Sequence, residues 1–329
     1  MGQRKPSAII RDRHACSKPD VWQCGGRAAQ DLGPRWRSER RCGTSFPREA
    51  AMTKPPIDFH QGFHDVDATG AGDAFEGYLV NVHAMPNWAE SRRKRFELAA
   101  FREGERILDA GCGVGMDLAE LSACVGKSGS IVGFDLSDDL IARARQRAAK
   151  LDTPISFQQG DLQALPFADA TFDAGWSERV LMYLENPLAA VREILRILKP
   201  GGRFLAGEID FGAIWSTSPD EAFRYALQQH TMKSVRNPGL SRQLPGLCVQ
   251  AGFAKIKVQP TMGTSHDFSI TERAANLVWH LDRMVEDGEV SRGAAEDYLE
   301  TQRRLSRDGG FTSILVVPNL VATKRSAGA

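Results

Sequence analysis

The stretch Arg106-Ile-Leu-Asp-Ala-Gly-Cys-Gly-Val-Gly115, continued by Met116-Asp117-Leu118-Ala-Glu-Leu121, decides the architecture. A short apolar run ends in glycines spaced G-x-G-x-G, and a helical segment starts behind them. A second strand, Ser130-Ile-Val-Gly-Phe134, ends in Asp135, 24 residues beyond Gly111. Glycine at a strand-to-helix turn permits positive φ and lets a ligand approach the backbone. The helix N-terminus offers unpaired N–H groups to that ligand. An acid at the end of the next strand suits the two hydroxyls of a ribose. Together these predict a nucleoside-binding crevice at the carboxyl ends of parallel strands.

The nucleoside is constrained by two departures from the dinucleotide fingerprint. That fingerprint wants G-x-G-x-x-G, but the third glycine position holds Met116. Asp109, just before the loop, places negative charge in the site. Beside a pyrophosphate that charge repels; beside a sulfonium and an α-amino group it attracts. A cationic nucleoside such as S-adenosylmethionine fits these residues better than a nicotinamide dinucleotide. G-x-G-x-G alone is also compatible with a plain glycine turn.

The next motifs narrow the reading. Gly160-Asp161-Leu162-Gln-Ala-Leu165-Pro166-Phe167 leads to Phe172-Asp173, then to Trp176-Ser177-Glu178-Arg179-Val180-Leu181, and later to Leu198-Lys199-Pro200-Gly201-Gly202-Arg203-Phe204. In this order the motifs resemble the class I S-adenosylmethionine-dependent methyltransferases. The likeness is to the branch with the ubiquinone/menaquinone-biosynthesis C-methyltransferases and many small-molecule methyltransferases, and it is strong over about 105–210. It implies a Rossmann-like α/β fold and S-adenosylmethionine as the cofactor. It places Asp109, Gly111, Gly113 and Gly115 under the methionine part of the cofactor. Asp135 takes the ribose, with Leu136 near the adenine. Asp161 takes the adenine amino group, with Leu162 donating a backbone N–H. Ser177 and Arg179 look over the transfer point. Asp135 and Asp161 could instead cap following helices.

Working outward, strands are expected at 155–157, 172–176, 203–209, 255–259 and 312–323. Leu188, Val191, Ile194, Leu195 and Leu198 mark one face of a helix, which Pro200-Gly201-Gly202 stops. The expected sheet is seven-stranded and mostly parallel with an antiparallel last strand. A helical cap over 52–104 precedes the cofactor-binding core at 105–210, and 211–329 forms the substrate side. A helical insertion over about 260–311, with helices at 272–284 and 292–302, precedes the last strand; such an insertion serves as a lid, a substrate wall or a packing element. In the cap, Tyr78, His83, Trp88 and Phe96 are placed to shield the cofactor or line an acceptor pocket, although such residues are often plain core.

The 329 residues balance 42 Lys and Arg against 41 Asp and Glu, a net of +1. Residues 1–51 hold 11 of the basic and five of the acidic residues, net +6, so 52–329 is net −5. The first segment lacks apolar periodicity and is read as a disordered basic extension, with Met52 a candidate true start. Its His14, Cys16, Cys24 and Cys42 lack the close Cys pair of a zinc site. Six cysteines are too few for a disulfide scaffold. No apolar run approaches the ~18–20 residues of a membrane helix, so a cytoplasmic protein without membrane insertion is expected. With no basic surface in 52–329, nucleic acid is not an expected partner. A small-molecule substrate is, and the inserted helices offer a surface for a homodimer.

A methyl donor of this kind is already activated, so the protein must orient, exclude water and remove a proton where the acceptor carries one. No metal is called for. His83, His230 and Asp210 are candidate bases, with His266, His280 and Glu208 behind them. Tyr78, Arg179 and Arg242 are candidate contacts to the acceptor, Arg242 through the segment Arg236-Asn237-Pro238-Gly239-Leu240-Ser241-Arg242. The expected activity is methyl transfer to a small organic acceptor such as a quinone, a phenol or another secondary metabolite. Competing readings are a nicotinamide-dependent oxidoreductase, a non-catalytic cofactor-binding regulatory module, and a protein or nucleic-acid methyltransferase. Against the last, the residues after the fourth strand, Ser177-Glu178-Arg179-Val180, are not an Asn/Asp-Pro-Pro-Tyr-like motif.

Overall fold

A computed structural model describes residues 57–326. The basic extension over 1–51, Met52 and the His14/Cys16/Cys24/Cys42 set lie outside the described residues. Helices α1 (Phe59–Gly62), α2 (Val66–Thr69), α3 (Gly72–His83) and α4 (Pro86–Ala99) come first. The alternating part follows: β1 (Arg106–Ala110), α5 (Leu118–Val125), β2 (Ser130–Asp135), α6 (Asp138–Ala148), β3 (Ile155–Gln159), β4 (Phe172–Glu178), α7 (Pro187–Ile197) and β5 (Leu198–Gly207). Then come β6 (Trp215–Ser216), α8 (Glu221–Ser234), α9 (Leu240–Ala251), β7 (Ala254–Ser265), α10 (Phe268–Ala274), α11 (Leu277–Glu286), α12 (Arg292–Arg307) and β8 (Ser313–Thr323).

The strands form an eight-stranded sheet in the order β3-β2-β1-β4-β5-β8-β6, with β7 paired to β8. β1 runs parallel to β2 and β4, β2 to β3, and β4 to β5. β8 is antiparallel to β5, β6 and β7. Ile107, Leu108, Ala110, Ala174 and Trp176 are fully buried because helices cover both faces of the parallel strands. The chain reverses its direction of strand addition between β1 and β4, and a crevice opens at the carboxyl ends there.

Local chemistry sets the helix starts. Ser137 caps α6 by accepting from Leu140 N at 3.1 Å, with Asp138 and Asp139 in the first turn and Arg145 and Arg147 in the last. Asn186 caps α7 by accepting from Ala189 N, and α7 buries the stripe Val191, Ile194, Ile197.

The α/β class, the parallel strands and the antiparallel last strand are as expected; the details differ in four places. α7 stops at Ile197, so Leu198 and Pro200-Gly201-Gly202 belong to β5, which starts five residues earlier than the expected 203–209 and ends at Gly207. The sheet has an eighth strand, the two-residue β6, too short to show any periodicity. β7 continues to Ser265, through Pro260 and Gly263, so the helical insertion starts at Phe268 rather than near 260. Proline lacks a ladder N–H and is tolerated on a strand with one partner; Pro260 lies opposite Pro318 on β8. The expected helix over 272–284 is split into α10 and α11 by Asn276 in the left-handed region, φ 48°. The inserted helices close their own small core: Phe268, Leu281, Met284, Tyr298 and Phe311 pack with Leu227 of α8.

Candidate cofactor and acceptor site

A cavity of about 310 Å³ lies at the carboxyl ends of β1, β2 and β4 and under the first helices, a volume within the range of small-molecule sites. Its floor is Gly111, Gly113, Asp135, Leu136, Asp161 and Leu162. Gly113 takes φ 51°, and a Cβ built on it meets nothing nearer than Leu79 Cδ1 at 3.6 Å. A side chain there would fill the cavity, so the bare backbone leaves room for a ligand. Gly115 serves packing instead. Its Cβ would lie 2.6 Å from Leu118 Cδ1 and 3.1 Å from Ala144 Cβ, so the glycine lets α5 and α6 approach closely. Gly115 does not line the cavity.

Asp135 accepts from Gly113 N at 2.7 Å and from Ser137 N at 3.0 Å. It therefore ties the glycine turn to the start of α6. Burial pushes its carboxyl up, and these backbone donors partly offset that. Asp161 is exposed at the rim and accepts from Gln163 N at 2.9 Å. Leu136 is 52% exposed on the cavity edge, whereas Leu162 is buried.

Asp109 is buried at 3% exposure behind the floor rather than on it. Burial, then the nearby Asp117, Asp135 and Glu178, push its carboxyl well above the usual range. Its charge thus depends on what sits beside it: a cation in the cavity favours the ionised form. The lining carries Asp65, Asp67, Asp135, Asp161, Glu178 and Glu185 against Arg179 and Arg236. This excess of carboxylates suits a cationic ligand and opposes a pyrophosphate.

The roof comes from the first helices. Asp67 of α2 accepts from Ser137 Oγ and from Asp138 N at 2.9 Å, pinning the roof to the N-terminus of α6. Phe63 packs against Tyr183 with ring centroids 5.0 Å apart and against Tyr78 at 6.0 Å. Tyr78 also donates its hydroxyl to Ala274 O at 3.4 Å, joining α3 to α10.

The loop after β4 is held from behind. Glu208 Oε1 accepts from Val180 N at 3.2 Å and Leu181 N at 3.0 Å. Burial pushes this carboxyl up to about 7. Asn237 Nδ2 donates to Leu184 O at 2.8 Å and to Met182 O at 3.2 Å. Arg179 lines the cavity with φ 56°, an uncommon backbone for a side chain of its size. Its guanidinium lies 4.9 Å from the Trp88 ring centroid. Neighbouring Glu178 pairs with the fully buried Arg95 at 2.6 Å.

Several residues named from the sequence lie away from the cavity. Ser177 is fully buried in β4 and is not on the lining. His83 sits under α4 beside Arg92, 3.1 Å away, and Asp117, 3.9 Å away; burial, then Arg92, lowers it to about 4. His230 and His280 lie among α8 and α11, and His266 is bonded at the β8 entrance to Phe311 O and Thr312 Oγ1. Asp210 is bound to Arg242 at 2.8 Å, and Arg242 is 59% exposed and off the lining. The cavity-lining arginine of that segment is Arg236, whose Nε donates to His64 Nε2 at 3.5 Å. His230, Asp287 and Glu289 bring ligand atoms within 4.8 Å of one another, but Glu289 already pairs with Lys233 at 2.9 Å.

Sequence reasoning missed Phe63, His64, Tyr183 and the partner of Tyr183, His60. Their signal is faint. They lie on short helices and turns with no period, and only the fold brings residues 57–67 over the strand ends.

The family described as "Methyltransferase domain" matches residues 108–206. A relative in Streptomyces fradiae, an uncharacterized 37.1 kDa protein of transposon TN4556, is 34% identical over 60% of this chain; the chain spans 58% of that protein. The ubiquinone/menaquinone biosynthesis C-methyltransferase of Pseudomonas putida is 39% identical over 50% of this chain and 71% of its own length. The fold is shared with phosphoethanolamine N-methyltransferase 2 of Haemonchus contortus, crystallised with S-adenosylhomocysteine; its TM-score is 0.51 at 19% identity, covering 83% of this chain and 62% of that one. The chain belongs to the class I S-adenosylmethionine-dependent methyltransferases.

Proposed function

We propose that the chain methylates a small, planar, hydroxylated aromatic or quinol-type acceptor bound under its first helices. The observation that carries this is the continuity of the cavity. Its floor is the glycine and carboxylate cradle, and its other wall is Phe63, Tyr78, Met182, Tyr183 and Ile209, with Arg236 at the mouth. Flat aromatic walls favour a flat apolar acceptor, and Arg236 and Arg179 favour an oxygen that carries negative charge. The Pseudomonas putida relative is named for quinone biosynthesis, which agrees with this class.

S-adenosylmethionine supplies an electrophilic methyl group when bound. The chain's own residues do the rest. Asp135 would accept from the ribose hydroxyls, and Gly111 and Gly113 would leave the backbone bare beneath the methionine part. The buried Asp109 would face the donor's positive charge from behind the cavity floor. Asp161 would accept from the adenine amino group and the Leu162 backbone N–H would donate to an adenine ring nitrogen, with Leu136 beside the ring. The roof excludes water and brings the acceptor into line, which supplies most of the rate when reacting atoms are ~3 Å apart. Ser177 and Gly115 support the site through packing.

Under this reading the protein acts in the cytoplasm and on a small molecule rather than on nucleic acid. Among the described residues no helix is long and apolar enough to cross a membrane. The reading is tested by following loss of the methyl donor with naphthalene-1,4-diol, catechol, benzoate and a primary amine as acceptors. Turnover with the two hydroxyaromatics is expected, and Phe63→Ala should raise their KM about tenfold (about 1.4 kcal/mol). Turnover confined to benzoate or the amine refutes the acceptor class.

A further inference from the structure

Methylating a hydroxyl or an activated carbon releases a proton, and the histidines singled out in the sequence lie off the cavity. One pair of side chains at its wall is arranged to take that proton. Tyr183, on the turn after β4, lines the cavity. Its hydroxyl lies 2.9 Å from Nδ1 of His60 on α1, a residue only 6% exposed. The His60 ring is wedged between Phe211, edge-on at 5.4 Å, and His280, near-parallel at 6.5 Å. The imidazole is thus held in one orientation toward the phenol. Glu208 and Asn237 fix the turn that carries Tyr183, through the backbone bonds at Val180, Leu181, Met182 and Leu184.

We propose that Tyr183 is the catalytic residue that takes the acceptor's proton, and that His60 is its positioning partner, receiving the phenol's own proton at Nδ1. The proposal rests on the small-acceptor reading above. The acceptor's O–H or C–H bond breaks, and its electron pair stays on the acceptor. That pair forms the bond to the methyl carbon, while the sulfur–methyl pair returns to sulfur. The acceptor's proton reaches the Tyr183 oxygen as the phenol proton passes to His60. Tyr183 ends unchanged and His60 ends as imidazolium, which loses its proton to solvent as product leaves. One positive charge, on the donor, disappears as another appears on His60, so the cavity's net charge is constant through the step.

Arg179, His280, Asp58 and Tyr183 face His60 or lie near it, and Tyr78, Glu208 and Arg179 act on Tyr183. Burial, then Arg179, lowers His60 to about 4, so the imidazole is neutral throughout the neutral range, its Nδ1 lone pair faces the phenol, and the imidazolium it forms is short-lived. Burial, then Tyr78, holds the Tyr183 phenol well above its ordinary value. It therefore works by exchanging protons and not as a standing phenolate.

Two measurements on the full chain test the proposal. The first is the pH profile of kcat with naphthalene-1,4-diol. In the native protein kcat is expected to stay flat from pH 6 to 8. Tyr183→Phe and His60→Gln are expected to lose about 10²-fold at pH 7 and to regain nearly tenfold per pH unit, as the acceptor ionises unaided toward its own pKa of about 10. KM should stay within about threefold. Gln at 60 can still accept the phenol's hydrogen bond but cannot store its proton, so loss in this variant separates proton transfer from packing. Variants that lose activity equally at every pH, or that keep it, overturn the proposal. The second is ¹⁵N NMR of the His60 imidazole, assigned by its disappearance in His60→Gln. A neutral ring with the proton on Nε2 at pH 7 is expected, and a proton on Nδ1 overturns the proposal. This second readout needs no acceptor. If neither the diol nor catechol is turned over, the acceptor class fails while the tautomer still decides the proton route.

Discussion

At the scale of single residues, the site is governed by what burial does to ionisable groups. Glu208 is fully buried and serves as an acceptor for the loop after β4. Its carboxyl is pushed up to about 7, so the folded state holds this proton more tightly than the unfolded chain does. The contribution to stability is therefore greatest below the unfolded value, near 4.5, and falls as pH rises toward 7. Glu208→Gln keeps an oxygen for the two N–H donors and removes the titration. Thermal melts at pH 5 and pH 8 should show the variant gaining on the native protein by on the order of 2 kcal/mol at the higher pH. A difference between the two proteins that is the same at both pH values would contradict this. His60, lowered to about 4 by burial and Arg179, has the opposite sign: its contribution is complete above the ordinary 6.5 and is lost as pH falls toward 4.

At the scale of elements, the roof is made of short helices that could not persist alone. They are held by polar contacts to α6. Asp67 binds Ser137 Oγ and Asp138 N, and Glu76 of α3 binds Arg143 at 2.5 Å and also Arg147. The roof thus sits on the same helix N-terminus that Asp135 ties to the glycine turn. Asp67→Ala should cost about 1 kcal/mol of stability, as the loss of a helix cap does, and weaken donor binding about fivefold because the roof no longer closes the cradle. Calorimetry with S-adenosylhomocysteine checks the second effect; unchanged affinity would show that the roof and the cradle are not linked. Glu76 pairs on the outer side of the roof, so its loss should leave that affinity nearly intact.

At the scale of the whole molecule, one buried cation joins distant parts of the chain. Arg95 of α4 is fully buried. It pairs with Glu178 at 2.6 Å, donates to Asn319 Oδ1 on β8 at 2.8 Å, and lies 5.2 Å from the Trp176 ring centroid. It also takes up the space beside Gly207 on β5, where a Cβ would lie 2.3 Å from its guanidinium carbon. Burial opposes the Glu178 charge, yet Arg95, Arg179 and Arg92 hold its carboxyl below the usual range. Removing one partner leaves the other charge buried and unpaired, so Arg95→Ala should destabilise the fold by about 3–5 kcal/mol in urea titrations. A loss below about 1 kcal/mol would show that Glu178 finds another cation.

Much of this protein is written in local sequence. G-x-G-x-G after a buried strand, Asp135 at the end of the next strand and Asp161 after the third are each short-range patterns, and they name both the parallel core and the floor of the cavity. Helix α7 is equally plain in its apolar spacing. Elements without periodicity escape such a reading: β6 has two residues, β7 runs through a proline and a glycine, and the turn at Asn276 interrupts an otherwise helical run. The candidate bases that the sequence suggests lie off the cavity because a histidine's chemistry says nothing about which way its helix faces. What the sequence by itself determined is the parallel α/β core and the glycine and carboxylate cradle, since both depend on backbone conformation and on strand pairings within about 70 residues. What only the tertiary structure decided is the aromatic wall proposed for the acceptor and its His60–Tyr183 pair, 123 residues apart. Long-range packing brings short helices over the strand ends, and no local pattern encodes that approach.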